Sequence, residues 1–340
     1  MSVHTIKKLL FLPAFVLVLA CGDDGGEPGD NFLPRESLAD EDQSLSRYNV
    51  NGDAISLAGD HEVDAGIEGF RSAKADHQRM WGRFRGLVPA SRRTFVKQFT
   101  AFHGGDAISG YVYPLQSDRV DWSLGLDILT AQAEFASLDN ASVPAANKNV
   151  PLAFTAAHEY AHLLTLHGDE LDLSISEASC TTFYNIYGCA SASSYIGDFY
   201  NAFWSGAVFA DYESKLATFG RDGVAEQMFM TYPADFVSEY AASSVEEDIA
   251  ESFARYVFSS NCTVGIPSPP GCTVPPPPAD ISEQKIRFFN SYPEIAALRL
   301  TMRNYLFDVV DGTVPLTGIS DVAYNVDFQG RKRSCGLAIH

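Results

Sequence analysis

The chain has 340 residues, a formal net charge of −19 at pH 7, 46% hydrophobic and 12% aromatic residues. That apolar content supports one large folded domain or two modest ones with a substantial core. The strong acidity, with no basic stripe anywhere, excludes a nucleic-acid partner and otherwise serves solubility.

The N-terminus is made of different material. "MSVHTIKK" is positive, and the apolar run that follows, residues 9–20, is twelve residues long. A membrane-spanning helix needs ~20, so residues 1–20 read as a signal peptide. The run ends in "VLAC", which resembles the lipobox of bacterial lipoproteins, with Val18 in place of the usual leucine. The resemblance implies an acylated Cys21 that anchors the protein to a membrane of the bacterial cell envelope. Gly22, standing where an aspartate would favour inner-membrane retention, points to the outer membrane or cell surface. Residues 21–48 are rich in Gly, Asp, Glu and Pro and read as a flexible acidic tether. The folded domain is expected over 49–340.

Within that domain, residues 65–90 predict a helix with Ile67, Phe70, Met80, Trp81, Phe84 and Leu87 on its apolar side, ending at Pro89. "TFVKQFTAFHGGDAISGYVYPL" predicts two strands around the "HGGD" turn, with a helix as the second reading of the first segment. In "VDWSLGLDIL", Val120, Trp122, Leu124, Leu126 and Ile128 alternate with Asp121, Ser123, Gly125 and Asp127, the period of a half-buried strand. Beyond this point helices dominate, so the fold class is α+β. Five cysteines remain after Cys21. In an oxidising compartment, local pairing joins Cys180 to Cys189 and Cys262 to Cys272 and leaves Cys335 over. The stretch "YNIYGCASASSYIGDFYNAFW" reads first as aromatic core, with a cleft wall as its second reading.

The chemistry is concentrated in "PLAFTAAHEYAHLLTLHG". Pro151 suits a first helical position and Gly168 a stop, with no Gly or Pro between them. His158 and His162 are four apart, so their rings leave one face about a turn from each other. Two imidazoles at that spacing can hold a tetrahedral zinc ion, and Glu159 on the adjoining flank can reach a water there without binding the metal. A catalytic site needs a third ligand. His167 fails the H-E-x-x-H-x-x-G-x-x-H pattern, because Thr165 and Gly168 occupy the required Gly and His positions. Its expected role is to meet the last carbonyls of the helix. Glu177 is a weaker candidate, because a thermolysin-like spacing would put the glutamate near position 182, which is Thr182. The better source is "EYAASSVEEDIAESFARYVF", where Ser243 and Glu246 suggest a capping box and leave Glu247 free. Glu247 and Glu251 share a face with Ala250 and Ala254, small enough to admit a neighbouring helix.

H-E-x-x-H followed far downstream by E-x-x-x-E resembles the gluzincin zinc metallopeptidases, and is similar to the anthrax lethal factor catalytic domain and to a group of bacterial lipoprotein metallopeptidases. The resemblance covers residues 150–168 and 236–258. It implies a zincin-like domain with a small mixed sheet over the H-E-x-x-H helix. It also implies one zinc ion on His158, His162 and Glu247, Glu251 in support, and Tyr240 stabilising the transition state. The activity implied is an endopeptidase's, with Glu159 as general base acting on an extended peptide paired with an edge strand from "VDWSLGLDIL" or "ISGYVYPLQ". Two other readings stay open on the residues alone: a surface lipoprotein that keeps zinc for structure, and a zinc amidase acting on cell-wall crosslinks.

Overall fold

The computed structural model describes residues 32–33, 35–36, 43–105, 108–259, 280–311 and 326. The expected signal peptide, Cys21 and the Cys262, Cys272 and Cys335 positions lie outside them. The first strands among the described residues form a hairpin of β1 (Gln43–Asn51) and β2 (Ala54–Asp60). It turns at Gly52, whose φ of 61° suits a glycine at the first position of a two-residue loop. β1 therefore begins inside the stretch expected to be tether. Its Leu45 and Tyr48 are buried, so residues 43–48 belong to the domain.

The helix expected over 65–90 is broken. A short 3-10 turn leads into α1 (Glu68–Ser72), and α2 (Lys74–Leu87) starts anew after Ala73, whose ψ of 56° is not helical. The cause is local. The buried His77 ring donates from Nε2 to the Phe70 carbonyl (3.0 Å) and accepts the Tyr48 hydroxyl at Nδ1 (2.8 Å). Burial pushes His77 down to about 4, which keeps it neutral for this double role.

β3 (Val96–His103), β4 (Gly110–Pro114) and β5 (Trp122–Asp127) complete a five-stranded mixed sheet in the order β2-β1-β3-β5-β4. Only the β3–β5 pairing is parallel. The two strands expected around "HGGD" are both present, with β5 inserted between them. β5 is also not half-exposed. All six of its residues are buried, Val120 lies outside it and Ile128 already starts a helix. Its polar positions are structural. Gly125 lies under the Tyr111 ring, and Asp127 accepts from the Gly104 and Thr130 amides (2.9 and 2.7 Å). Strand β5 therefore has no free edge. β4 is outermost by hydrogen bonding, yet Gly110 to Tyr113 are buried.

Asp127 caps α3 (Ile128–Asp139), and α4 (Pro151–Leu166) follows it into the core. All sixteen residues of α4 are buried, as its nearly continuous apolar surface requires. Its N-terminal amides are satisfied from outside: Glu134 of α3 accepts from Ala153 N at 2.9 Å and pairs with Arg83 Nε at 3.0 Å. A three-stranded sheet of β6 (Leu171–Asp172), β8 and β7 comes next, with β7 at Tyr184–Asn185 and β8 at Gly188–Ala190. The Cys180–Cys189 disulfide staples it, as expected from local pairing. Helices α5 (Tyr195–Phe203), α6 (Ala207–Thr231, kinked at Gly220), α7 (Val245–Phe258), α8 (Ile281–Phe288) and α9 (Pro293–Asp311) form the C-terminal part. The architecture is α+β. α4 is sandwiched between strands β4 and β5 on one side and α7 on the other.

Candidate metal centre

α4 and α7 meet along their small residues. Ala157, Ala161, Ala250 and Ala254 are all buried to 1% exposure or less, which lets side chains 89 residues apart converge. His158 Nε2 lies 3.1 Å from His162 Nε2 and 3.1 Å from Glu247 Oε2, and His162 Nε2 lies 3.3 Å from the same oxygen. Bonds of ~2.0 Å to a tetrahedral ion place ligand atoms about 3.3 Å apart, so this nearly equilateral triangle has the dimensions of three ligands around one cation. The three residues are buried and form a group that could hold a metal ion.

The protonation pattern supports the same conclusion. His158 Nδ1 is 3.1 Å from Glu251 Oε1, where it donates its proton to the carboxylate. In the neutral ring this leaves the Nε2 lone pair facing a carboxylate and a second imidazole nitrogen. Acceptors crowded at 3.1 Å in a buried site need a shared positive charge. Burial pushes the Glu247 carboxyl up, but positive charge at His162 and hydrogen bonds from the two imidazoles outweigh it and bring it down to about 2, so a cation at this position, whether shared protons or a metal ion, holds the group as an anion. Burial likewise raises Glu251, and the hydrogen bond from His158 leads the effects that turn its net shift downward. Glu251 Oε2 also accepts the Ser238 hydroxyl at 2.8 Å. A relay Ser238–Glu251–His158 thus fixes the ring's tautomer and orientation. His162 Nδ1 is buried without such a partner, so packing alone aims that ring.

The helix start differs from the expected capping box. Ser243 ends a 3-10 turn begun at Tyr240, and Ser244 is the cap, with Oγ accepting from Glu247 N at 3.2 Å. Glu247 therefore sits in the first turn of α7, where the helix dipole favours its negative charge. Asp248, next along, is turned to the opposite side. It accepts from Trp204 Nε1 (2.8 Å) and pairs with the buried Lys285 of α8 (2.6 Å). Burial pushes Asp248 up to about 6 in spite of both partners.

The remaining expected residues fall as follows. Glu159 is fully buried on the α4 flank facing β4, so close that a Cβ on Gly110 would stand 2.7 Å from its Oε1. Tyr240 lies beside the ligands, its ring centroid 6.0 Å from that of His158. His167 is not a ligand. It follows α4, stacks on Phe95 and accepts from the Asp169 amide, having met no helix carbonyl. Glu177 is exposed on a 3-10 turn and lines the cavity beside Glu247, but it is not one of the three grouped ligands. Ser238, Gly110 and the Lys285–Asp248 pair were not visible in the sequence.

Beside the triad opens a cavity of about 630 Å³, lined by Glu247, Tyr240, the β7–β8 hairpin and α6. The aromatic-rich stretch divides accordingly: Tyr184 and Tyr187 line this cavity, whereas Phe199 and Trp204 are core. Comparison of the chain with protein-family models, with curated proteins and with solved structures returns no match. The reading of the centre therefore rests on its own geometry.

Proposed function

We propose that the protein is a zinc-dependent endopeptidase, exported and held at the bacterial cell envelope through Cys21. The observation that carries the reading is the His158–His162–Glu247 triangle with Glu159 on the same helix. A purely structural metal site has no use for a fully buried acid beside its ligands. The disulfide agrees with an oxidising compartment, and no helix among the described residues is long and apolar enough to cross a membrane.

Zinc held by the triangle would supply Lewis acidity, activating a water and polarising the scissile carbonyl. Glu159 takes the proton released by that water and returns it to the leaving amine nitrogen. The Tyr240 hydroxyl donates to the carbonyl oxygen as negative charge develops on it. Ser238 and Glu251 keep the His158 ring in one tautomer throughout. The apolar walls of α4, β4 and α7 exclude bulk water from Glu159. The purified protein is expected to bind one zinc per chain and to cleave casein or a mixed peptide library. Glu159→Gln should lower cleavage at least ~100-fold with metal content unchanged. Undiminished cleavage by that variant would remove the general-base role.

A further inference from the structure

The three ligands of the centre are buried. Glu247 is shared with the neighbouring cavity, which therefore marks the approach to them. The two walls of that cavity differ in how firmly they are held. One is the β7–β8 hairpin, stapled by the Cys180–Cys189 disulfide. The other is the N-terminal half of α6, residues 207–219, which contributes Phe209, Tyr212 and Leu216.

None of residues 207–219 is buried, whereas Val224 and Met228 in the second half of α6 belong to the core. On the other side the core ends at Trp204, fully buried and donating Nε1 to Asp248 at 2.8 Å. Between these two anchors stand Gly206 (φ 79°, ψ −124°) and Gly220 (φ 69°, ψ −176°), one at each end of the segment. Both conformations are open to glycine and strained for any other residue. A Cβ at either position would meet nothing within 4 Å, so the backbone, not packing, requires glycine there. Two such residues flanking a helical segment with no buried residue of its own have the form of a pair of hinges. The segment meets the fold through ring edges: Phe209 against Phe183 (6.0 Å) and Tyr200 (5.1 Å), and Tyr212 against Trp204 (5.4 Å). The Lys215–Asp211 ion pair lies within the segment and travels with it.

We infer that residues 207–219 form a lid that swings on Gly206 and Gly220 over the cavity, opening the way to the ligand triangle and closing on what enters. The stapled hairpin is the fixed jaw and the helical segment the moving one. The identity of the guest rests on the endopeptidase reading; the motion rests on the two glycines and the unburied segment alone.

The test is hydrogen–deuterium exchange, read by mass spectrometry on the zinc-loaded full chain. Amides of 207–219 should exchange at least ~10-fold faster than those of 224–231 and of α7. Saturation with N-acetyl-trialanine hydroxamate, a metal-binding peptide probe, should slow exchange over 207–219 at least ~3-fold and leave 224–231 unchanged. Gly220→Ala disfavours the resting position of the segment, so it should speed exchange there about 10-fold with α7 and zinc content unaltered. Equal protection of the two halves of α6 overturns the lid. So does hydroxamate binding that adds no protection over 207–219, or a Gly220→Ala effect spread evenly over the fold. Should the probe fail to bind, the comparison of Gly220→Ala with wild type decides alone. If the segment behaves as stated while no peptide in a library is cleaved, the lid stands and the endopeptidase reading falls. If peptides are cleaved while 207–219 is as protected as 224–231, the endopeptidase reading stands and the lid falls.

Discussion

Gly110 lies against the helix that carries the candidate ligands, and replacing it with alanine isolates the effect of that contact. A Cβ there would lie 2.6 Å from Thr155 Cγ2, 2.7 Å from Glu159 Oε1 and 2.9 Å from Glu159 Cγ. Ordinary contact begins at about 3.4 Å, so β4 and α4 must separate, or Glu159 must swing away, by roughly 0.5–1 Å. Gly110 is not among the residues with positive φ, so the strain is purely steric. Overpacking of this kind costs about 1–3 kcal/mol, and a displacement near 1 Å of a group that must meet a reacting atom can cost ~100-fold in rate. Gly110→Ala should therefore lower the urea midpoint and reduce peptide cleavage by one to two orders of magnitude. Zinc content should stay at wild-type level, because His158, His162 and Glu247 do not touch Gly110. Gly82→Ala in α2 is the matched control. Nothing lies within 4 Å of a Cβ at that site, so the change should be neutral or stabilise by about 0.4–1 kcal/mol. The reasoning is refuted if Gly110→Ala keeps full activity, or if it loses zinc in parallel with activity.

Three further outcomes are expected. Glu247→Ala should abolish stoichiometric zinc binding while Glu177→Ala retains it, as read by metal analysis after dialysis; the opposite pattern would move the third ligand. Ser238→Ala leaves Glu251 without one of its two donors and should weaken zinc by about 10-fold in competition with a chelator, with the circular dichroism spectrum unchanged. Glu134 carries the pH dependence of the α4 N-terminus. Burial pushes its carboxyl from 4.5 up to about 7, against the opposing pull of Arg83 and the Ala153 amide. Between those values the folded chain holds a proton that the unfolded chain has released, so stability falls as pH rises through the window, by up to about 3 kcal/mol. The wild-type urea midpoint should be higher at pH 5 than at pH 7.5, and Glu134→Gln should remove most of the difference.

Much of this centre was legible in the sequence because helices translate spacing into direction. His158 and His162, and Glu247 and Glu251, are each four apart, and their common face follows from helix geometry alone. That the two faces meet was suggested by the alanines beside the glutamates. The cap was misplaced by one residue because Ser243 and Ser244 are equivalent in composition, and only the extended backbone of Ser244 separates them. Strand β5 alternates as a half-buried strand does, yet its polar residues are buried by long-range partners: Tyr111 over Gly125, and the Gly104 amide on Asp127. The break at Ala73 depends on a tertiary contact between His77 and Tyr48, which local periodicity cannot report. Ser238 is one serine among many until α7 is folded beside it.

The Lys285–Asp248 pair bears on how the two carboxylates of α7 are aimed. Successive residues of a helix are about 100° apart, so pinning Asp248 sets the rotational phase of Glu247 and Glu251 on the far side. α8 thereby acts as a key that stops α7 from spinning, although it contributes no atom to the ligand triangle. A chain cut before residue 280 would retain every ligand, but it would strand Asp248 inside the core with its countercharge gone. Such a fragment should lose its grip on zinc through misalignment of α7, and mutational tolerance at Lys285 should be as narrow as at the ligands themselves.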